Sequence, residues 1–333
     1  MLYVYSSVEQ PGVLARPITS RSVVQIHPLL VLKKIKIIKK MAFPLAIIFT
    51  LVAIIGWGFG DFFLQKSIRK LGDWETLFIV TGFGAVVLLP FVIKDIPSLF
   101  SFNNKEFLVL FFASLILFFA ALLDFEALKK GKLSVVEPIW SLEIIVSSTL
   151  AFLVLRETIN LLQGVLVASL IIGLVLVSLR SYHLEKKLWL EKGVFLAILS
   201  AIVMGSANFL IGVGSRDSGG LMMNWFLNIF MAVICLFYLI YHKSTRKLFR
   251  DVRKQKKIVL GMCLFDNAAW VGFAFAMTLA PIGITVALSE SYIIIAVLIG
   301  MYINKEFIRV HQKVGMVLAL ISAILLGYVT YLR

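Results

Sequence analysis

Residues 133–155 read LSVVEPIWSLEIIVSSTLAFLVL, and residues 282–303 read IGITVALSESYIIIAVLIGMYI. Each is a long, mainly apolar run of the length a helix needs to cross a bilayer, about 20 residues. In lipid such a run must be helical, because a lone strand leaves its backbone groups without partners. Each also carries an acid well inside: Glu143 is the eleventh residue of the first run and Glu290 the ninth of the second. A charge at the bilayer centre costs at least about 2.5 kcal/mol on insertion scales. A chain that keeps two such acids reads as a membrane protein with a polar interior.

Working outward, the same pattern fills the sequence. Apolar runs extend over 43–64, 74–93, 107–128, 133–155, 161–179, 193–213, 221–241, 258–279, 282–303 and 314–332. Of 333 residues 60% are hydrophobic and only 15% charged, against about 25% charged in an ordinary soluble domain. This excludes a soluble globular enzyme and a disordered chain. The expected fold is an all-α membrane protein with ten transmembrane helices, integral and multi-pass, its partner the lipid bilayer and its membrane that of the cell. Pro281 is expected to separate the eighth and ninth helices.

Lys and Arg number 33 and Asp and Glu 18, a net charge of +15. The basic residues fall in short clusters between apolar runs, where they help to set topology, so no nucleic-acid partner is expected. Cys235 and Cys263 lie inside apolar runs and read as buried thiols. The four His (27, 183, 242 and 311) all lie outside span interiors. The chain contains neither GxxxxGK[ST] nor HExxH, so neither ATP hydrolysis nor that zinc-protease chemistry is expected. No enzyme activity, cofactor or metal is expected.

The two halves repeat. Gly58, Asp61 and Phe62 match Gly205, Asn208 and Phe209 at an offset of 147, and Ala127, Ile144, Ile145, Glu157, Ile159 and Gln163 match Ala276, Ile293, Ile294, Glu306, Ile308 and Gln312 at 149. Because five is odd, successive five-helix units enter the membrane with opposite orientation. That makes two inverted repeats, a plan many secondary transporters share, with the substrate site between the repeats. The expected units are 41–182 and 190–333. A basic arm, 1–40, precedes them; it reads either as a surface-lying segment or as an extension before a start at Met41.

Gly56-Trp57-Gly58 and Lys66 near the first helix, Ala127-Leu128 followed by Pro138, and the pairs Arg156-Glu157 and Lys305-Glu306 closing the fourth and ninth helices resemble the EamA-like branch of the drug/metabolite transporter superfamily. The resemblance covers about Met41 to Tyr331. It implies a ten-helix carrier of a small metabolite, often an exporter, without ATP hydrolysis. The chain departs from the family pattern at Asp61, where an uncharged polar residue is usual, and at Ala287, where Pro is frequent.

Depth ranks the candidate site residues. Asp266, Glu290, Glu143 and Asp61 are the deep acids, and no Lys or Arg lies at comparable depth. Burial disfavours the charged form of a carboxyl group, so such groups can take a proton on one side and release it on the other, or anchor a cation. Residues three and four apart share a helix face. Trp140 lines up with Glu143, Trp270 with Asp266, and Trp57 with Asp61, while Asn267 adjoins Asp266 and Asn208 is the repeat partner of Asp61. Aromatic walls with a few placed polar groups suit a small amphipathic solute, and Trp faces hold ammonium groups. The expected function is alternating-access transport of an amine, amino acid or other cationic, zwitterionic or neutral solute, proton-coupled and in the direction of export. A lipid flippase or scaffold subunit is the alternative, with an intramembrane enzyme behind it.

Other acids read as structural, among them Asp124 and Glu126 at the end of the third helix. Glu157 and Glu306 read as caps of the following helices, with gating as the alternative. Gly315, Ala319, Ala323 and Gly327 make a small-residue stripe on the tenth helix, either for packing within the chain or for a homodimer. Loops after odd-numbered helices hold 21 basic residues and those after even-numbered ones, with the C-terminus, five; the arm adds seven to the second set. Charge places the odd loops in the cytoplasm if the chain starts at Met41, and the resemblance implies the reverse.

Overall fold

A computed structural model describes residues 28–99, 104–130, 139–179, 192–295, 298–299 and 309–332. The chain divides into two units, Met1–Lys39 and Lys40–Arg333. Apart from the start of α1, everything below concerns the second. Pro138, Lys305 and Glu306, singled out above, and most of the basic arm fall outside the described residues.

Twelve helices are described: α1 (Pro28–Leu71), α2 (Asp73–Val92), the short α3 (Ile96–Leu99), α4 (Asn104–Lys130), α5 (Leu142–Leu155), α6 (Leu161–Ser178), α7 (Lys192–Ser218), α8 (Gly220–Tyr241), α9 (Thr245–Lys254), α10 (Lys256–Leu279), α11 (Ile282–Ser289) and α12 (Val310–Tyr331). Eight contain stretches long and apolar enough to cross a membrane, and two shorter apolar helices, Leu142–Leu155 and Ile282–Ile295, stand at the fourth and ninth places. The outward faces are apolar, with Val86 72%, Phe91 67% and Phe237 70% exposed, as a chain solvated by lipid tails requires.

The internal repeat is written into the backbone. The turn from α1 to α2 passes through Gly72 at φ 113°, and that from α7 to α8 through Gly219 at φ 88°. Both lie in the left-handed region that L side chains avoid, and they stand 147 residues apart, the offset of the helices they follow. At the start of α6, Asn160 accepts from Gln163 N at 2.7 Å, and Gln163 Oε1 reaches back to Asn160 N at 3.1 Å. Its counterpart Gln312 does the same for Arg309 N at 3.0 Å. The two glutamines also tie α6 to α12, Gln163 Nε2 donating to Thr330 Oγ1 at 3.0 Å and Gln312 Nε2 to Val177 O at 2.9 Å.

Packing crosses between repeats. A Cβ on Gly58 of α1 would meet Ile295 Cγ2 at 2.6 Å, and one on Gly205 of α7 would meet Val146 Cβ at 2.7 Å. The two glycines are repeat partners, and so are Val146 and Ile295. The first helix of each repeat therefore lies against the fourth helix of the other. On α12, Gly315 and Ala319 pack on Gly173 of α6, whereas a Cβ on Gly327 would meet nothing within 4 Å among the described residues. The half of the small-residue stripe that holds Gly315 and Ala319 is used within the chain. Pro281 separates α10 from α11 as expected, and Cys235 and Cys263 are buried free thiols.

One expectation changes. The fourth and ninth runs are continuous in hydropathy, but their helices are jointed. Ser141 (φ −56°, ψ −14°) precedes α5, and Glu290 (φ −60°, ψ −14°) follows α11. These two residues are also 149 apart. Around them the backbone tightens to three-residue bonds, from Ile144 N to Ser141 O at 3.3 Å, Ile293 N to Glu290 O at 3.2 Å and Ile294 N to Ser291 O at 3.0 Å. Serines beside the joints compete for the same carbonyls: Ser289 Oγ donates to Val286 O at 2.8 Å, a known way to loosen a helix.

Candidate functional site

The joints bring acids together. Glu143 sits one residue into α5, just past the first joint, and Glu290 forms the second; they are 8% and 7% exposed. Glu143 lies within electrostatic reach of Glu290 and Asp124, and Glu290 within reach of Asp61 and Asp124. Helices α1, α4 and α5 and the joint after α11 thus each supply one carboxyl group to a single neighbourhood. Among the described residues, no Lys or Arg acts on Glu143 or Glu290.

Helix α7 supplies the neutral partners. Asn208 Nδ2 donates to Glu143 Oε2 at 3.2 Å, and Ser200 Oγ donates to Asp124 Oδ1. Three further polar atoms at or next to the joints, Trp140 Nε1, Ser141 Oγ and Ser291 Oγ, are buried and have no hydrogen-bond partner among the described residues. A buried polar group without a partner costs about 1–3 kcal/mol. Such atoms fit a site that a solute or water completes.

An aromatic wall stands beside the acids. The Trp57 ring meets Trp270 at 5.2 Å, Phe273 at 5.0 Å and Tyr292 at 6.0 Å between centroids, all edge to face. Trp57 is one turn before Asp61 on α1, and Tyr292 is two residues after Glu290. Lys66, further along α1, lies over the Phe62 ring at 3.8 Å.

The candidates separate into groups. Asp61, Glu143, Glu290 and Asn208 converge. Trp140 flanks the first joint but packs on a small cluster formed by Ala127, Ile139, Val194 and Ala197. Asp266 shares a stripe with Trp270 and lies within its reach, and that ring connects it to the wall. Asn267 is occupied elsewhere: its Nδ2 donates to Val80 O at 3.0 Å and Cys263 O at 2.9 Å, and its Oδ1 accepts from Asn228 at 3.3 Å. It braces α2 and α8 against α10.

Asp124 joins the acids, although its place near the end of its apolar run suggested a structural role. The missed signal is spacing. Ala113, Leu117, Ala120, Asp124 and Ala127 follow one another at four and three residues, and the four apolar members are at most 3% exposed. A carboxyl on that stripe faces the bundle.

Glu157 also acts differently from expectation. Asn160 and Gln163 cap the next helix, α6. Glu157 reaches across to the other repeat, where its Oε2 accepts from Ile282 N, the first residue of α11, at 2.9 Å. Its Oε1 pairs with Arg216 Nη1 at 2.6 Å. Arg216 in turn donates to Met277 O and Ala280 O at the end of α10, both at 2.8 Å. One ion pair therefore caps two helix ends with charges that suit their dipoles, and it joins the α5–α6 junction, the end of α7 and the α10–α11 turn. A hollow beside it is lined by Ser148, Ala151, Pro281 and Gly283. No group of metal-binding side chains occurs among the described residues.

Comparison with known proteins gives a consistent picture. The model of the EamA-like transporter family matches residues 44–179 and 191–328. An uncharacterised protein of Methanocaldococcus jannaschii is 28% identical over 136 residues, 40% of this chain and 96% of that protein; the relative is as long as one repeat. A solved crystal structure superposes with a TM-score of 0.68 at 12% identity, covering 86% of this chain and 97% of the other, a likeness of fold.

Proposed function

We propose that this chain, which belongs to the EamA-like transporter family and is a multi-pass membrane transporter of the drug/metabolite type, moves a small cationic, zwitterionic or neutral solute by alternating access coupled to protons. The observation that carries the reading is the convergence of Asp61, Asp124, Glu143 and Glu290 on two repeat-related joints, beside donors that have no partner among the described residues and with no described cation acting on the two glutamates.

The chemistry follows from that setting. Carboxyl groups gathered in a low-dielectric interior can carry protons, which a cationic or amine-bearing solute can displace. Trp57, Trp270 and Tyr292 offer ring faces and edges for the apolar part of such a solute. Fixed anions such as sugar phosphates would need cations or helix N-termini at the site, and four carboxyl groups repel them. The Glu157–Arg216 pair closes one end of the path by tying the fourth and ninth helices together. The family reading supports a carrier rather than an enzyme, and we take outward net flux as its direction.

The test is uptake into proteoliposomes holding a pH gradient, across amines, amino acids, nucleosides and sugar phosphates. Amide replacement of Glu143 or Glu290 is expected to abolish the dependence on the gradient. Full gradient-driven transport by the double amide variant, or preferred transport of sugar phosphates, would refute the reading.

A further inference from the structure

The link between α8 and α10 is a helix with two unlike faces. At about 100° per residue, Leu248, Val252 and Phe249 fall on one side of α9, and Arg246, Arg250, Arg253, Lys254 and Lys247 on the opposite side. Leu248 is 1% exposed and Val252 packs on the core, while Phe249, at the edge of the apolar side, remains 62% exposed. Residues 243–257 hold eight basic residues against one acid, Asp251. Asp251 is engaged by Arg250 at 3.3 Å. Every Lys and Arg of this stretch is exposed. At its end, Gln255 Oε1 accepts from Lys70 Nζ at 2.8 Å. This tie adds the exposed Arg69 and Lys70 of α1 to the same face, where Asp73 and Glu75 are half-buried at the start of α2.

The chain itself fixes where this helix lies. α8 crosses the membrane and ends at Tyr241, which is 82% exposed, and α10 starts its own crossing at Lys256. With ten residues of helix tethered at both ends by spans, α9 is held at headgroup depth. A basic face, an apolar edge and an exposed aromatic ring at that depth are the features of an interfacial helix, and the exposed Tyr241 at the end of α8 suits the same level.

We propose that α9, together with the end of α1, is a binding surface for anionic lipid headgroups. Phe249 enters the acyl boundary, and Arg246, Arg250, Arg253 and Lys254 engage phosphates. The surface lies away from the acidic site and does not depend on the solute assigned to it. Attraction of this kind is worth roughly a fivefold change in binding for each basic residue near an anionic surface.

The experiment uses the full chain in neutral detergent, titrated with phosphatidylglycerol or with phosphatidylcholine, with the thermal unfolding midpoint as readout. Phosphatidylglycerol is expected to raise the midpoint and phosphatidylcholine to leave it unchanged, and the increment is expected to shrink in high salt. The variant R246Q/R250Q/R253Q is expected to unfold as wild type in phosphatidylcholine and to need at least tenfold more phosphatidylglycerol for the same increment. F249A should weaken the response without altering its salt dependence. If the triple variant does not fold, R250Q alone is expected to give about a fivefold shift. An unshifted response in any folded charge variant would overturn the proposal, as would indifference of the wild type to phosphatidylglycerol. A soluble polyanion reproducing the full effect would also overturn it, because the surface would then serve a soluble acidic partner.

Discussion

Replacing Glu157 by Gln removes one charge from the node that joins α5, α7, α10 and α11 and leaves an acceptor for Ile282 N. The Glu157–Arg216 contact is 2.6 Å, with side-chain exposures of 17% and 30%. A hydrogen bond between charged groups contributes about 1.5–3 kcal/mol net; partial exposure argues for the lower part of that range. Taking about 2 kcal/mol, and holding that the pair forms only when this end of the path is closed, the substitution shifts the closed-to-open ratio about thirtyfold. The readout is the labelling rate of a cysteine placed at Ser148, which lines the hollow beside the node. Cys235 and Cys263 are buried and contribute little background. A membrane-impermeant thiol reagent should modify S148C at least ten times faster in the E157Q background. R216K should fall between, because it keeps charge but loses the fork that caps two carbonyls. An unchanged labelling rate in protein that still unfolds cooperatively would refute the gating role and leave Glu157 a static cap.

Other consequences can be measured directly. Gly84→Ala would set a Cβ 2.0 Å from Asn267 Oδ1 and 2.5 Å from Asn228 Nδ2; forcing that buried amide pair apart should cost about 2–4 kcal/mol, seen as a lowered thermal midpoint in detergent. Gly219→Ala, at φ 88°, should cost about 1–2 kcal/mol by the same readout, with transport retained. Asn208→Leu removes the donor to Glu143 Oε2 and should slow gradient-driven uptake at least tenfold while leaving the midpoint within a few degrees. Asp124→Asn should impair uptake comparably to Glu143→Gln, and Ser200→Ala less; wild-type uptake by D124N would remove Asp124 from the site.

Much of the fold was legible because hydropathy reports burial in lipid directly. Ten apolar runs and the paired offsets of Gly58 with Gly205 and Glu157 with Glu306 sufficed for an inverted repeat. The depth of Glu143 and Glu290 likewise singled out two acids that the structure buries within reach of one another. The joints were not legible: Ser141 and Glu290 interrupt hydrogen-bond register without interrupting hydrophobicity, and composition carries no register. The burial of Asp124 was not legible because linear position in a run is a poor measure of depth when the helix continues to Lys130. Asn267 was read as lining because it adjoins Asp266, yet neighbours on a helix point about 100° apart. The reach of Glu157 across to Ile282 is a contact between repeats, which no local capping rule contains.

The crossed contacts of Gly58 with Ile295 and Gly205 with Val146 set a timetable for biogenesis. Gly58 enters the membrane early, and the side chain that fills the space above it is made only after most of the chain has followed. At about 5–20 residues per second that interval is on the order of tens of seconds, during which lipid must occupy the groove that Ile295 later takes. The first half is therefore an unfinished surface until the ninth helix arrives. A chain cut between the repeats should yield two fragments that are degraded when made singly and become stable when made together.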